Sequence, residues 1–371
     1  MRLIVVLVML LAGCSQFPSQ SGKYLGELLL LYSASQCSVT LMGGSSRCPL
    51  HLSGTVTTLS GTGAPGNVNG SATTSQFNQP RASVTPDGVY LYVVDTGNVQ
   101  IRRVTIATGE VSFFSGAGVS GFVNGAPGVA RFSVPVGITS DGVSLFVVDQ
   151  NNHAIRQVNT STGEVSTLAG SGSIGLTDGT GTGAEFNNPV GITTDGTFLY
   201  VGDNDNHAIR KIRISTGQVT TLAGSGGPGN ADGTGAAASF TNPYGVTTDG
   251  TYVYVADRTN SRIRRVTIST GQVTTIAGSS NGLVDGIGTA AQLTGPVGIT
   301  MDGTHLYVAE INNHVIRKIN IGTLQVTTLA GNGSTGFING TGTAARFNAP
   351  TGITTDGRSL FIADDGNFAH R

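Results

Sequence analysis

The stretch Asn242–Gly278 reads NPYGVTTDGTYVYVADRTNSRIRRVTISTGQVTTIAG. Short runs of Val, Ile, Thr and Tyr alternate with turn residues, and no segment keeps a helical period. β-branched and aromatic side chains suit a pleated, half-buried surface. The pattern predicts four strands, at Gly245 to Thr248, Tyr252 to Ala256, Arg262 to Ile268 and Gln272 to Ala277. Asp249-Gly250 between the first two predicts a two-residue hairpin with both central residues at positive φ. The second run is apolar on successive residues, so both of its faces need cover.

Working outward, the same unit of about 54 residues recurs through the chain. Its prolines are Pro80, Pro135, Pro189, Pro243, Pro296 and Pro350. An acid follows in register at Asp95, Asp149, Asp203, Asp257, Glu310 and Asp364, and seven residues later comes Arg102, Arg156, Arg210, Arg264, Arg317 or Arg371. A fixed period of this length marks one supersecondary unit copied around a ring or along a stack. A four-stranded sheet that is apolar on both faces must be covered by neighbouring sheets. Six such sheets around an axis make an all-β six-bladed β-propeller of four-stranded antiparallel blades. The competing arrangement, an open solenoid, disagrees with the strand count. The last copy stops at Arg371 inside its third strand, while Thr55-Val56-Thr57-Thr58-Leu59-Ser60-Gly61 is a fourth strand with no blade of its own. The N-terminal strand is therefore expected to complete the last blade and close the ring.

The runs Val148–Arg156 (VDQNNHAIR), Gly202–Arg210 (GDNDNHAIR) and Ala309–Arg317 (AEINNHVIR), with the flanking P-x-G-I-T-x-D-G and V-T-T-L-A-G pieces, resemble NHL-repeat proteins of the bacterial type. The resemblance covers about residues 53–371. It implies a propeller but not a task, since such domains serve as sensors, ligand binders, RNA binders or a peptidyl-hydroxyglycine lyase.

The N-terminus, MRLIVVLVMLLAGC, has one basic residue, an apolar run from Leu3 to Leu11, and small residues before Cys14. This pattern is similar to a bacterial lipoprotein signal over residues 1–13, with cleavage leaving Cys14 as the lipidated terminus. The run is too short to span a bilayer. Ser15 resembles the outer-membrane sorting pattern, where such a membrane exists. Of three cysteines, Cys37 and Cys48 then form an even pair that an oxidising compartment would allow to close a small loop. Residues 14–52 read as a tether with one apolar patch at Leu25 to Tyr32, and the propeller occupies 53–371. The expected location is an exported, lipid-anchored position in the cell envelope. Formal net charge is −1 and only 11% of residues are charged, without a Lys-rich run, so no basic face for nucleic acid is expected.

The six acid–arginine pairs do not form an active site by this reading. Catalysis needs different groups converging on one reacting atom, whereas these repeat on separate blades. Each acid ends a second strand and its arginine lies on the neighbouring third strand, so a local hairpin bridge is expected. His153, His207 and His314 share a slot that holds Val99, Ser261 and Phe368 in other blades, which reads as a packing slot. No phosphate-cradling loop, Ser-His-Asp set or Cys-rich metal motif stands out. What remains is the rim that carries the long fourth-to-first connections and the second-to-third turns. There the blades differ, at Arg81 and Tyr244 just after the proline, and at Gln150, Asn204, Arg258 and Ile311 in the turns. An aromatic ring and a guanidinium at one channel opening suit a polar or anionic ligand. The expected role is a binding or sensing module for a protein, peptide or small ligand, needing no cofactor. The alternative is a lyase- or lactonase-type enzyme with a metal ion in the channel.

Overall fold

The computed structural model describes Leu50 and residues 52–371. Cys14, Cys37, Cys48, the apolar run before Cys14 and the Leu25 to Tyr32 patch lie outside the described residues.

The fourth repeat forms strands Pro243–Thr248, Tyr252–Asp257, Arg262–Thr267 and Gln272–Ala277, joined in antiparallel order. The other repeats build the same meander, so the fold is an all-β six-bladed propeller. First strands of successive blades lie side by side around the axis. The circle shuts where Pro80–Val84 meets Pro350–Thr355. A glycine in the first strand makes that approach possible. A methyl on Gly245 would collide with the Val297 carbonyl oxygen, and one on Gly191 with that of Tyr244.

Closure joins the two ends of the described chain. Leu59 N donates to His370 O at 2.8 Å, and His370 N donates to Ser60 O at 2.9 Å. The last blade thus takes its fourth strand from the N-terminal side. The solenoid alternative is excluded by the ring of first-strand contacts.

Two local expectations change. The blades are not uniformly four-stranded. Gly179–Thr180, Gly233–Thr234 and Gly286–Ile287 add a fifth, outermost strand to the third, fourth and fifth blades. Gly340–Thr341 pairs with Thr55–Val56 in the same way. These pieces come from the long connections, whose glycine-rich composition hides a two-residue strand. The Asp-Gly turn is also of another kind. Gly250 has φ +85° but Asp249 does not take positive φ. Instead, Asp249 Oδ1 accepts hydrogen bonds from Thr251 N at 2.8 Å and Tyr252 N at 2.7 Å. The carboxylate mimics backbone and replaces the second left-handed residue.

The core divides among the gaps between blades. Each long connection plants one fully buried anchor there: Phe77, Phe132, Phe186, Phe240, Leu293 or Phe347. Burying such a side chain is worth about 1.5–3 kcal/mol.

Candidate binding face at the channel mouth

The repeated acid and arginine are wholly buried. In the third blade, Arg210 Nη1 donates to Asp203 Oδ2 at 2.8 Å. Asp203 Oδ1 accepts from Asn187 N, and Oδ2 also from Asn206 Nδ2. The other arm of Arg210 reaches Asp178 Oδ1 at 2.9 Å and the Thr177 carbonyl. The guanidinium lies 5.1 Å from the Phe186 ring centroid. The arginine therefore does more than bridge a hairpin. It clamps the second strand, the long connection and its anchor together. Asp95–Arg102, Asp149–Arg156, Asp257–Arg264, Glu310–Arg317 and Asp364–Arg371 repeat the clamp at 2.7–3.2 Å. Burial pushes the Asp95, Asp203 and Asp364 carboxyls up to about 6, against the pull of the neighbouring amide and guanidinium donors. With both oxygens committed inside the blade, these groups have nothing left to offer a ligand.

The histidine slot is set by backbone shape rather than by packing alone. Val99, His153, His207, Ser261, His314 and Phe368 all take positive φ, and Val99, His153, His207 and Phe368 do so at the end of a single 3-10 turn. Where the residue is histidine, its ring reaches the next blade. Nδ1 of His153, His207 and His314 accepts from the backbone N–H of Asn188, Asn242 and Ala349 at 3.1, 3.2 and 3.0 Å. Each imidazole is a bolt between blades. Burial lowers the pKa of His153 and His314, which keeps Nδ1 free to accept.

The rim positions behave differently. Arg81 and Tyr244 line one channel cavity of about 80 Å³, with Val136, Val190, Val297 and Thr351 supplying its small or aliphatic remainder. Tyr244 packs on the cluster that holds Val136 and Val190 and also on the cluster that holds Val297. Arg258 stands over its ring, 5.5 Å from the centroid. Burial raises the Tyr244 pKa, Arg81 and Arg258 oppose the rise, and Asp365 adds to it. Arg81 faces Asp365, Nε to Oδ2 at 3.6 Å, and this nitrogen has no hydrogen-bond partner. Burial pushes Asp365 up to about 6 while Arg81 pulls it down.

So Arg81, Tyr244 and Arg258 come together. Asn204 is occupied elsewhere, accepting from Asn242 Nδ2 at 3.0 Å, and Ile311 packs in a gap between blades. The Gln150 backbone N–H is held by the Val134 carbonyl, and its side chain is half-buried. Asp365 is the residue that sequence reasoning missed. It occupies the same turn position as Arg258, directly after the repeated acid, and the Asp364-Asp365 doublet was its signal. Among the described residues, no group of three or more His, Cys, Asp or Glu is placed to hold a metal ion.

A closed ring of six antiparallel blades around a narrow channel is the build of a propeller domain. The repeat motif and the curated relatives identify the chain as an NHL-repeat propeller. It is 30% identical to Protein SUPPRESSOR OF QUENCHING 1 of Arabidopsis thaliana over 300 residues, covering 75% of this chain and 28% of that protein. It is 29% identical to NHL repeat-containing protein 2 of Homo sapiens over 318 residues, covering 75% and 44%. The chain thus spans less than half the length of these relatives. An auxiliary nutrient binding protein of Bacteroides thetaiotaomicron has the same fold, with a TM-score of 0.64 at 18% identity over 85% of this chain and 74% of that one. No family model matches the chain.

Proposed function

We propose that this propeller is a ligand-binding module that takes an anionic group at the channel mouth. The observation that carries the reading is the convergence of Arg81, Arg258 and Tyr244 on one opening, at positions where the other blades carry different side chains. Two guanidinium groups outnumber the single carboxylate of Asp365 there. A ligand carboxylate or phosphate would satisfy Arg81 Nε, which Asp365 leaves without a hydrogen bond. Guanidinium donors match such planar or tetrahedral oxyanions better than an ammonium does. The fold it shares with a protein named for nutrient binding is compatible with this role, though at that identity the likeness extends to the fold alone.

The test is calorimetric titration with small mono- and dicarboxylates and phosphate esters. At least one class should bind saturably, and Arg81→Ala should weaken it tenfold or more with the melting temperature held. No saturable binding, or binding indifferent to Arg81 and Arg258, would defeat the proposal.

The module is further proposed to be exported and held at a membrane by lipid on Cys14, on the strength of the Leu3 to Cys14 pattern. Labelled palmitate fed to expressing bacteria should enter the wild-type chain and not Cys14→Ala. Equal incorporation, or none in either, would remove the anchor from the account.

A further inference from the structure

The channel mouth keeps both kinds of polar group unpaired. Among the described residues, the Arg81 and Arg258 guanidinium groups, the Tyr244 hydroxyl and the Asp365 carboxylate make no hydrogen bond. Arg258 has only the Tyr244 ring beneath it, and Arg81 and Asp365 face each other at 3.6 Å, too far apart to bond. Other carboxylates of this rim are engaged. Asp205 accepts from Asn188 and Asn242, and Asp178 from Arg210 and Thr221. The four free groups share one small space, since Arg81, Arg258 and Asp365 all act on the Tyr244 phenol. Behind them the wall changes character. Val136, Val190 and Val297 stand beside Arg81, and Ile138, Ile192 and Ile299 lie two residues further along the same strands. The cavity of about 80 Å³ is thus charged at its opening and aliphatic within.

We propose that the mouth takes a free α-amino acid with a short, branched aliphatic side chain. This inference rests on the anion-binding reading above and narrows it to one class of anion. A plain anion would satisfy the two guanidinium groups and leave Asp365, 15% exposed at its side chain, facing a second negative charge. A mostly buried carboxylate without a donor is costly. A ligand with an ammonium group beside its carboxylate serves both sides of the mouth. Its carboxylate goes to the planar guanidinium donors and the Tyr244 hydroxyl, and its ammonium donates to Asp365. Spacing selects the α-amino acid. Arg81 Nε and Asp365 Oδ2 stand 3.6 Å apart, so the complementary charges must sit on one carbon of the ligand rather than at opposite ends of a chain. With its head held there, the side chain enters the valine and isoleucine wall, where burial of methyl groups adds affinity.

The test is calorimetric titration of the 371-residue chain at pH 7.5, where the Asp365 carboxyl, pushed up to about 6, is ionised. Four ligands are compared: L-valine, 3-methylbutanoate (the same skeleton without the ammonium), L-alanine, and 5-aminopentanoate, whose charges lie at opposite ends. Valine should bind saturably, at least tenfold more tightly than 3-methylbutanoate or 5-aminopentanoate and several-fold more tightly than alanine. A site built to pair a polar group rejects the analogue that lacks it. Asp365→Asn should weaken valine tenfold or more and tighten 3-methylbutanoate, opposite changes that misfolding cannot produce. If 3-methylbutanoate binds the wild type as tightly as valine, or if Asp365→Asn leaves valine unmoved, this inference falls and the anion-binding reading stands. If no anion binds at all, that reading falls and this inference with it.

Discussion

Asp203 with Arg210, and Asp365 with Arg81, are both aspartate–arginine pairs, yet they do opposite things. The first pair meets at 2.8 Å with both side chains 0% exposed. The second stands at 3.6 Å, with the side chains 29% and 15% exposed. In the clamp, every carboxylate oxygen has partners from the blade and the guanidinium reaches a second carboxylate. At the mouth, the one carboxylate facing Arg81 stands beyond hydrogen-bond distance, at 3.6 Å, whereas Nε is unpartnered in both arginines. The clamp recurs in each blade and the mouth pair occurs in a single place. Repetition around a ring marks what the ring needs in order to stand. A departure from the repeat, on a rim and with donors to spare, marks what it offers to something else.

The comparison breaks hardest in the last blade, where the clamp is assembled from both sides of the closure. Removing residues 54–61 strips Asp364–Arg371 of its outer strand and bares the edge at His370. Cooperative melting should be lost and aggregation should follow. An unchanged melting profile would mean that closure contributes nothing. Next in size, Arg210→Ala leaves Asp203 buried without its counter-ion. It should cost about 3–5 kcal/mol by chemical denaturation, as removal of one partner from a buried pair does. A loss below about 1 kcal/mol would place the clamp among ordinary surface pairs.

A smaller and opposite effect is expected at His370, which fills the slot taken by Ile101, Ile155, Ile209, Ile263 and Ile316 elsewhere. Both of its ring nitrogens are buried without a hydrogen bond, and burial lowers its pKa to about 3. His370→Ile should therefore stabilise by about 1–3 kcal/mol, the cost of an unsatisfied buried polar group. The sign with pH follows from linkage. A histidine with a depressed folded pKa takes up protons in the unfolded chain first, so stability falls as pH drops from about 6.5 toward 3. The raised carboxylates Asp95, Asp203 and Asp364 act the other way between about 6 and 3.8. They are common to both proteins, so the difference between wild type and His370→Ile isolates the imidazole. That difference should grow on acidification below pH 6.5. A constant difference would show that the ring is solvated. The smallest stability effect is expected at Arg81→Ala, within about 0.5 kcal/mol, as for a partly exposed pair.

Much of this was legible in the sequence because the ring copies its pattern. Short runs of Val, Ile, Thr and Tyr between turn residues marked the four strands. The surplus strand at Val56, set against a third strand that stops at Arg371, gave the closure. The fifth strand was not legible, since Gly179–Thr180 is two residues inside a glycine-rich connection and carries no periodicity. The Asp249-Gly250 turn was misread because aspartate can serve either as a left-handed residue or as an acceptor for the next amides. The histidine slot looked like packing because valine and phenylalanine also occupy it. What they share is positive φ, and the imidazole adds a cross-blade hydrogen bond that no single-chain pattern displays. Asp365 was hidden by standing next to a repeated acid. Only the folded ring places it opposite Arg81.

The most direct test of the division between clamp and mouth is a paired measurement on Arg210→Ala and Arg81→Ala, with melting temperature and anion affinity read on each. Arg210→Ala should lower the melting temperature by several degrees and, where still folded, bind the anion within about twofold of wild type. Arg81→Ala should melt with wild type and lose binding tenfold or more. If Arg81→Ala keeps full affinity, or loses it only in step with stability, the mouth is architecture like the clamp, and the account of this face is wrong.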